Sequence, residues 1–273
     1  MANFGILAKL GVDASEMAVG LAAGTLKMEQ FGKRIKKVVK LAVIAAGASI
    51  AGMAAKGVSD FMSFEKKMAE VFTLIPDTSK EMEAKMSKGM RELAKTMGID
   101  LIEATEGLYA AISAGVPADN AIAFLTEASK TAIGGVTDLK SAVGATTTVM
   151  NAYNLGTEDM SRISDALFSV VQGGITDFTQ LSQHIGKVTP IASTLGITIE
   201  ELAASARIMT VAFGENNTAP AMTALKVGFQ ELGDASKGAG KVFASLGKGS
   251  FMEFKAAGGT MEEALRMLSE AAG

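Results

Sequence analysis

Gly196-Ile-Thr-Ile-Glu-Glu-Leu-Ala203 places a glycine two residues before a threonine, and a glutamate three residues after that threonine. Both spacings have a helical meaning. A glycine at a helix end takes up the left-handed conformation without steric cost, so the chain can turn away. A threonine followed three residues on by glutamate is a capping box, in which each side chain satisfies a backbone N–H that the new helix leaves free. One octapeptide therefore closes a helix and opens the next. Working outward, Ala192-Ser-Thr-Leu-Gly-Ile-Thr-Ile-Glu-Glu201 echoes Ala94-Lys-Thr-Met-Gly-Ile-Asp-Leu-Ile-Glu103 at five of ten positions. Gly134-Gly-Val-Thr-Asp-Leu139 likewise echoes Gly173-Gly-Ile-Thr-Asp-Phe178. Because the two echoes have different offsets, they read as a recurring short helix–turn–helix unit more than a strict solenoid.

The same punctuation runs along most of the chain. Thr78/Glu81, Asp100/Glu103, Ser250/Glu253 and Thr260/Glu263 also have capping-box spacing. Pro117 and Pro220 suit first turns, and Gly98, Gly115, Gly134, Gly156, Gly173, Gly214 and Gly233 suit helix ends. No stretch reads as a β-hairpin. Apolar residues make up 48% and charged residues 20%, with 17 Met, four Pro and no Trp. That composition supports a packed core and favours close helix contacts over a rigid aromatic interior. The fold class is all-α: a long N-terminal helix, with a short edge strand before it, followed by a compact multi-helix domain of short helices. The expected division is 1–57 and 58–273, with the boundary as late as 76, where Pro76 should stop a helix running to Ile75.

The N-terminal part has its own pattern. Residues 4–12 alternate Ile6, Ala8, Leu10 and Val12, and supply the edge strand. Asp13 and Glu16 have the spacing to open a helix whose apolar positions are Met17, Leu21, Gly24, Met28, Phe31, Ile35, Val38, Ala42 and Ala45. Steps of four and three are the heptad rhythm of a coiled-coil seam. The pattern fits an amphipathic core helix or a self-associating bundle helix. Lys27, Lys33, Arg34, Lys36, Lys37 and Lys40 fall off the seam and oppose only Glu29. The local excess is +5 within a net charge of −3, leaving about −8 for the remainder. Leu41–Ala55 is uncharged, and as a helix would span ~22 Å, less than the ~30 Å core of a bilayer. Gly47/Ala51 and Ala48/Gly52 have small-xxx-small spacing, which allows close helix packing, within the protein or in a membrane. The opening Met1-Ala2-Asn3-Phe4 does not read as a signal peptide.

Little in the sequence points to chemistry. There is no cysteine, and His184 is the single histidine, so neither a thiolate zinc site nor a two-histidine metal motif can be built from this chain. Ser182-Gln-His184 lacks the GxSxG nucleophile elbow, and His184 reads as a surface residue. Gly238-Ala-Gly-Lys241 is too short for a phosphate loop and reads as a flexible loop. Glu200/Glu201 and Glu262/Glu263 fall in predicted first turns, where the helix dipole favours negative charge without catalysis. The net charge, and the lack of aromatics among the bases apart from Phe31, argue against specific nucleic-acid binding. The expectation is a structural protein with no catalytic residue, no metal, no cofactor and no small-molecule substrate.

Leu10-Gly-Val-Asp13, Phe31-Gly-Lys-Arg-Ile-Lys-Lys37, Phe61-Met-Ser-Phe-Glu65, Gly98-Ile-Asp100, Ala111-Ile-Ser-Ala-Gly115 and Ala221-Met-Thr-Ala-Leu225 occur in this order. With Gly196–Ala203 and Gly258-Gly-Thr-Met-Glu-Glu-Ala-Leu265, they resemble the N-terminal and core region of phage tail tape measure proteins. The resemblance implies a protein made in the host cytoplasm and placed in the lumen of the tail tube, where it helps set tail length and is released during DNA ejection. Its implied partners are further copies of itself, the tail tube protein, tail assembly chaperones and, on ejection, the host membrane. Members of that family are usually far longer, and this chain as one continuous helix would reach only ~410 Å, so a fragment or a reduced prophage-derived form is expected. Rival readings are a membrane-active helical protein, which anionic and neutral liposomes would reveal, and a soluble helical adaptor.

Overall fold

A computed structural model describes residues 48–272 apart from Asp77 and Lys237. The edge strand, the Met17–Val38 seam, the basic segment and Gly47 therefore lie outside the described residues. All regular structure in the described residues is helical, with no strand. The contacts divide the chain into two compact units, and Met97–Ile99 and Glu106–Gly273 form the second.

In the first unit, α1 (Ala48–Phe72) carries Ala51 and Gly52 and runs without a break past Gly57; α2 (Lys80–Met97) follows. Phe64, Met68 and Val71 of α1 are buried, as are Met86, Met90, Leu93 and Ala94 of α2. The Arg91 guanidinium lies 5.5 Å from the centre of the Phe64 ring, and 4.0 Å from Glu65. The helix expected to reach Ile75 stops at Phe72. Proline disfavours helical geometry in the residue before it, and the last turn tightens first, with Leu74 N–H donating to Val71 O and Ile75 N–H to Phe72 O. The cap of α2 is also displaced by one position. Ser79, not Thr78, accepts from a first-turn amide (Met82 N–H, 3.2 Å), while the Thr78 hydroxyl donates back to Ile75 O.

The second unit is a series of helical hairpins. α3 (Leu101–Ser113), whose first turn groups with the first unit, leads to α4 (Ala121–Gly135). α5 (Leu139–Ala152) pairs with α6 (Met160–Gly173). α7 (Phe178–His184) and α8 (Thr189–Thr194) are two pieces of one broken helix, separated by a 3-10 turn at Ile185–Lys187 and restarted with Pro190 in its first turn. They pack on α5; α9 (Ile199–Phe213) follows, and packs on α6 and on the next helix, α10 (Thr218–Gly233). The second helices of the hairpins, α4, α6 and α9, pack side by side, and α5, α7 and α10 form a second row against them. The chain ends in α11 (Gly238–Phe243), α12 (Phe251–Ala256) and α13 (Met261–Ala272).

Patterning explains the burial. In α6 the buried residues Met160, Ile163, Ala166, Leu167 and Val170 return every three or four positions, so one stripe faces the core. α5 is buried on more than one side and is built from small residues. Its buried Thr146 and Thr147 hydroxyls donate to Ala142 O and Val143 O at 2.8 and 2.7 Å, so neither is left unsatisfied.

Several hairpin turns share one device. At Gly115, Val136, Asn154, Gly196 and Gly258 the residue is left-handed, and the next N–H donates to the carbonyl five residues back, as Ile197 does to Ala192 O. These are Schellman caps. The echo at 134–139 was expected to place a helix-ending glycine at Gly134, but α4 continues through Gly135 and the left-handed position falls on Val136, at φ 51°. The two glycines serve the neighbouring hairpins instead. A Cβ on Gly134 would sit 3.0 Å from the Phe168 ring, and one on Gly135 2.9 Å from Phe178. Val136 is β-branched, 90% exposed and held in a conformation such residues avoid. Val136→Gly is expected to stabilise the protein by about 1 kcal/mol, read as a higher denaturation midpoint; an unchanged or lower midpoint would show that the left-handed turn costs nothing there.

Candidate functional site

The hairpins are joined by polar contacts that repeat with the fold. The N-cap aspartates Asp100, Asp138 and Asp177 recur at 38 and 39 residues, each accepting first-turn amides: Ile102 N–H at 2.8 Å, Ser141 N–H at 2.8 Å and Gln180 N–H at 2.8 Å. Beside them the Thr137 and Thr179 hydroxyls pair at 2.9 Å, and one hairpin later Thr176 and Thr218 pair at 2.7 Å. Along the turns, Asn151 donates to Ala114 O at 3.0 Å and Ser193 to Ala152 O at 2.6 Å. At the starts of the second helices Asn120 donates to Thr157 at 3.2 Å, and Arg162 grips Glu200 at 2.6 and 3.0 Å. Each contact joins residues 37 to 42 positions apart, so each hairpin is bonded to the next.

The 39-residue echo seen in the sequence is thus the period of an array, and the solenoid character is stronger than the unequal offsets suggested. The other echo matches two joints of different kinds, before α3 and before α9. They share a left-handed glycine (Gly98, φ 68°; Gly196, φ 71°) and an N-cap, not a place in the repeat.

Glu201 has three separate partners. The Thr198/Glu201 capping box is formed, with Glu201 N–H donating to Thr198 at 3.2 Å and Thr198 N–H to Glu201 at 2.8 Å. The same carboxylate also accepts from Lys255 Nζ and from Met261 N–H, each at 2.7 Å. The Lys255 and Glu201 side chains are only 7% and 18% exposed. Burial acts to raise the Glu201 pKa, but the hydrogen bonds from Lys255 and the two amides outweigh it and leave it below the ordinary glutamate value. Glu200 lies lower still, at about 2, chiefly because Arg162 bonds its charged form. The Arg162 and Glu200 side chains are 48% and 55% exposed, so solvent screens that pair to less than about 1 kcal/mol.

The expected boxes at Ser250/Glu253 and Thr260/Glu263 are also formed. Gly238–Lys241, expected as a loop, is the start of α11. Gly240 is buried there because a Cβ would lie 2.6 Å from Glu231 O. His184 ends α7, half-buried rather than on the surface, and its Nδ1 is buried without a hydrogen-bond partner among the described residues. An open groove of about 650 Å3 lies between Glu158, Asp159, Arg162, Asp165 and Glu200. Among the described residues no group of three His, Asp or Glu could hold a metal ion, and no helix is long and apolar enough to cross a membrane.

Residues 87–273 match the model of the phage-related minor tail protein family. The chain belongs to that family. It is therefore a structural component of a phage tail. Over 257 residues it is 31% identical to a probable tape measure protein of Clostridium phage phiCD119, an alignment covering 89% of this chain and 27% of the relative. The chain thus spans about a quarter of the length of the curated relative it matches. No solved structure matches it. The family match covers the hairpin array and the C-terminal helices, and leaves residues 1–86 outside. The sequence showed the caps at Asp100, Thr198, Ser250 and Thr260 of this minor tail protein domain but not those at Asp138 and Asp177, the second role of Glu201 or the threonine pairs. The available signal was the repeated Thr-Asp of the 137–138 and 176–177 joints.

Proposed function

We propose that this chain is the N-terminal and core region of a tape measure protein, occupying the lumen of the tail tube, helping to set tail length and leaving with ejection of the DNA. The observation that carries the reading is the 31% identity over 89% of the chain to a probable tape measure protein. The hairpin array supports it, because a row of units bonded only to their neighbours is a framework of additive length with no need of a catalytic cleft. In this reading 1–57 is a self-associating segment, with the boundary as late as 76. Met17, Leu21, Met28, Phe31, Ile35 and Val38 form the seam between copies, and Gly47, Ala51 and Gly52 allow close helix packing. Lys33, Arg34, Lys36 and Lys37 face outward. The partners are other copies, the tail tube protein, tail assembly chaperones and, on ejection, the host membrane. The reading includes no catalytic, metal or cofactor site.

The test is electron microscopy of tails assembled with and without the gene. Tails that are absent or of uncontrolled length without it support the proposal; tails of normal number and length overturn it. The seam is tested separately. Met28→Glu with Phe31→Glu puts charge into any bundle, and is expected to lower the oligomeric state in sedimentation. A wild-type chain that is monomeric at high concentration would remove the seam.

A further inference from the structure

The C-terminal helices α11–α13 have an apolar centre of their own. Phe243 of α11 meets Phe251 and Phe254 of α12 edge-on, with ring centres 5.8 and 5.2 Å apart, and α11 packs on α13. Phe243, Phe251, Met261 and Ala264 are buried. The segment continues from α10, which touches α11 and α12, and it returns to the hairpin array at a second place, the first turn of α9. There a single carboxylate makes the polar connection. Glu201 accepts from Lys255 Nζ with both oxygens at 2.7 Å, and from Met261 N–H at 2.7 Å, while it caps its own helix through Thr198 N–H. The ammonium and the amide come from different helices, α12 and α13, so one side chain of the array fixes both. The Tyr153 hydroxyl is buried close by without a hydrogen-bond partner among the described residues, and feels the charges of Glu201 and Glu200.

We propose that Glu201 is a latch, fastening α12 and α13 to the first turn of α9 as a clip that can open there while α11 stays on α10 and the hairpins remain folded. The reason is the imbalance of contacts. Neighbouring hairpins are joined by whole helix faces as well as by several hydrogen bonds, and α11 is likewise packed on α10, whereas α12 and α13 share no such face with α9 and meet it mainly through the bonds to one carboxylate. Opening uncovers the Glu201 carboxylate in the first turn of α9, which is 18% exposed when the clip is closed. The inference rests on this geometry and not on where in the tail the protein sits.

The experiment is amide hydrogen exchange on the full chain carrying Glu201→Gln. Exchange in 251–272 is expected to accelerate by about tenfold or more, with 121–194 and 218–233 unchanged. A uniform acceleration across 121–272 would make clip and array one cooperative block and overturn the proposal, as would no acceleration. Lys255→Met provides a second arm should the first variant fail to fold. It is expected to loosen the same segment, and the double variant, with neither charge left unpaired, to exchange more slowly there than either single variant. A Lys255→Met protein in which 251–272 exchanges as slowly as wild type also defeats the latch.

Discussion

Phe178→Ala is expected to cost about 3–5 kcal/mol, the usual range for deleting a fully buried aromatic ring. Phe178 has no exposed surface and opens α7 directly after the Asp177 cap. Its ring centre lies 5.6 Å from that of Phe168, and the absence of a Cβ on Gly135 lets it settle against the end of α4. The ring therefore touches the ends of two preceding helices at the joint between hairpins, and collapse around the cavity is limited because three elements would have to move together. In an array coupled only between neighbours, weakening a central joint also lowers cooperativity. Urea unfolding followed by circular dichroism should show a lower midpoint and a shallower slope than wild type. Phe213→Ala, at a partly exposed position on α9, is the control and should cost much less. A loss below about 1 kcal/mol for Phe178→Ala would show that the joint is not a core element.

Acid is expected to remove stability below about pH 4.5, and to act most strongly where α12 and α13 meet α9. Asp138, Glu200 and Glu201 all have folded pKa values below their ordinary ones, as do the exposed Glu253 and Glu263 of the C-terminal capping boxes. A depressed folded pKa means that the native state binds the charged form better than the unfolded chain does. The stabilisation is complete above the unfolded value of 4.5 for glutamate and drains away as pH falls through the folded values, which for Glu200 means down to about 2. At Glu201 the consequence is sharpest. Lys255 stays charged in acid, so protonating its partner leaves a 7%-exposed ammonium without a counter-charge. Breaking a buried pair from one side costs about 3–5 kcal/mol, and the partial exposure of Glu201 places this pair toward the lower end. Denaturation midpoints measured from pH 7 to pH 3 should fall, and the fall should be smaller in Glu201→Gln, which has already lost the charge. Midpoints that stay level or rise over that interval would contradict the assignment of these carboxylates.

The sequence by itself determined the helical class, most of the caps and the resemblance to the tail family. These are local matters. A threonine and a glutamate three residues apart, as at Thr198/Glu201, find each other within one turn whatever the rest of the chain does, and a glycine such as Gly196 can turn left-handed without help. The errors are of the opposite kind. Gly134 and Gly135 looked like a helix stop, but the rings of Phe168 and Phe178, more than thirty residues away in sequence, decide that they must lack a side chain. Gly240 lies within a helix, and it must lack a side chain because the backbone carbonyls of Asp234 and Glu231 lie where a Cβ would be. Glu201 showed its capping role in the sequence and hid its bonds to Lys255 and Met261, because 54 and 60 residues separate them. The threonine pairs and the Arg162–Glu200 bridge exist only once equal-length hairpins stack in register. Local chemistry sets where most helices of this chain begin and end; which hairpins touch, and which side chain ties α12 and α13 to α9, depends on side-chain volume and burial that no short stretch of sequence contains.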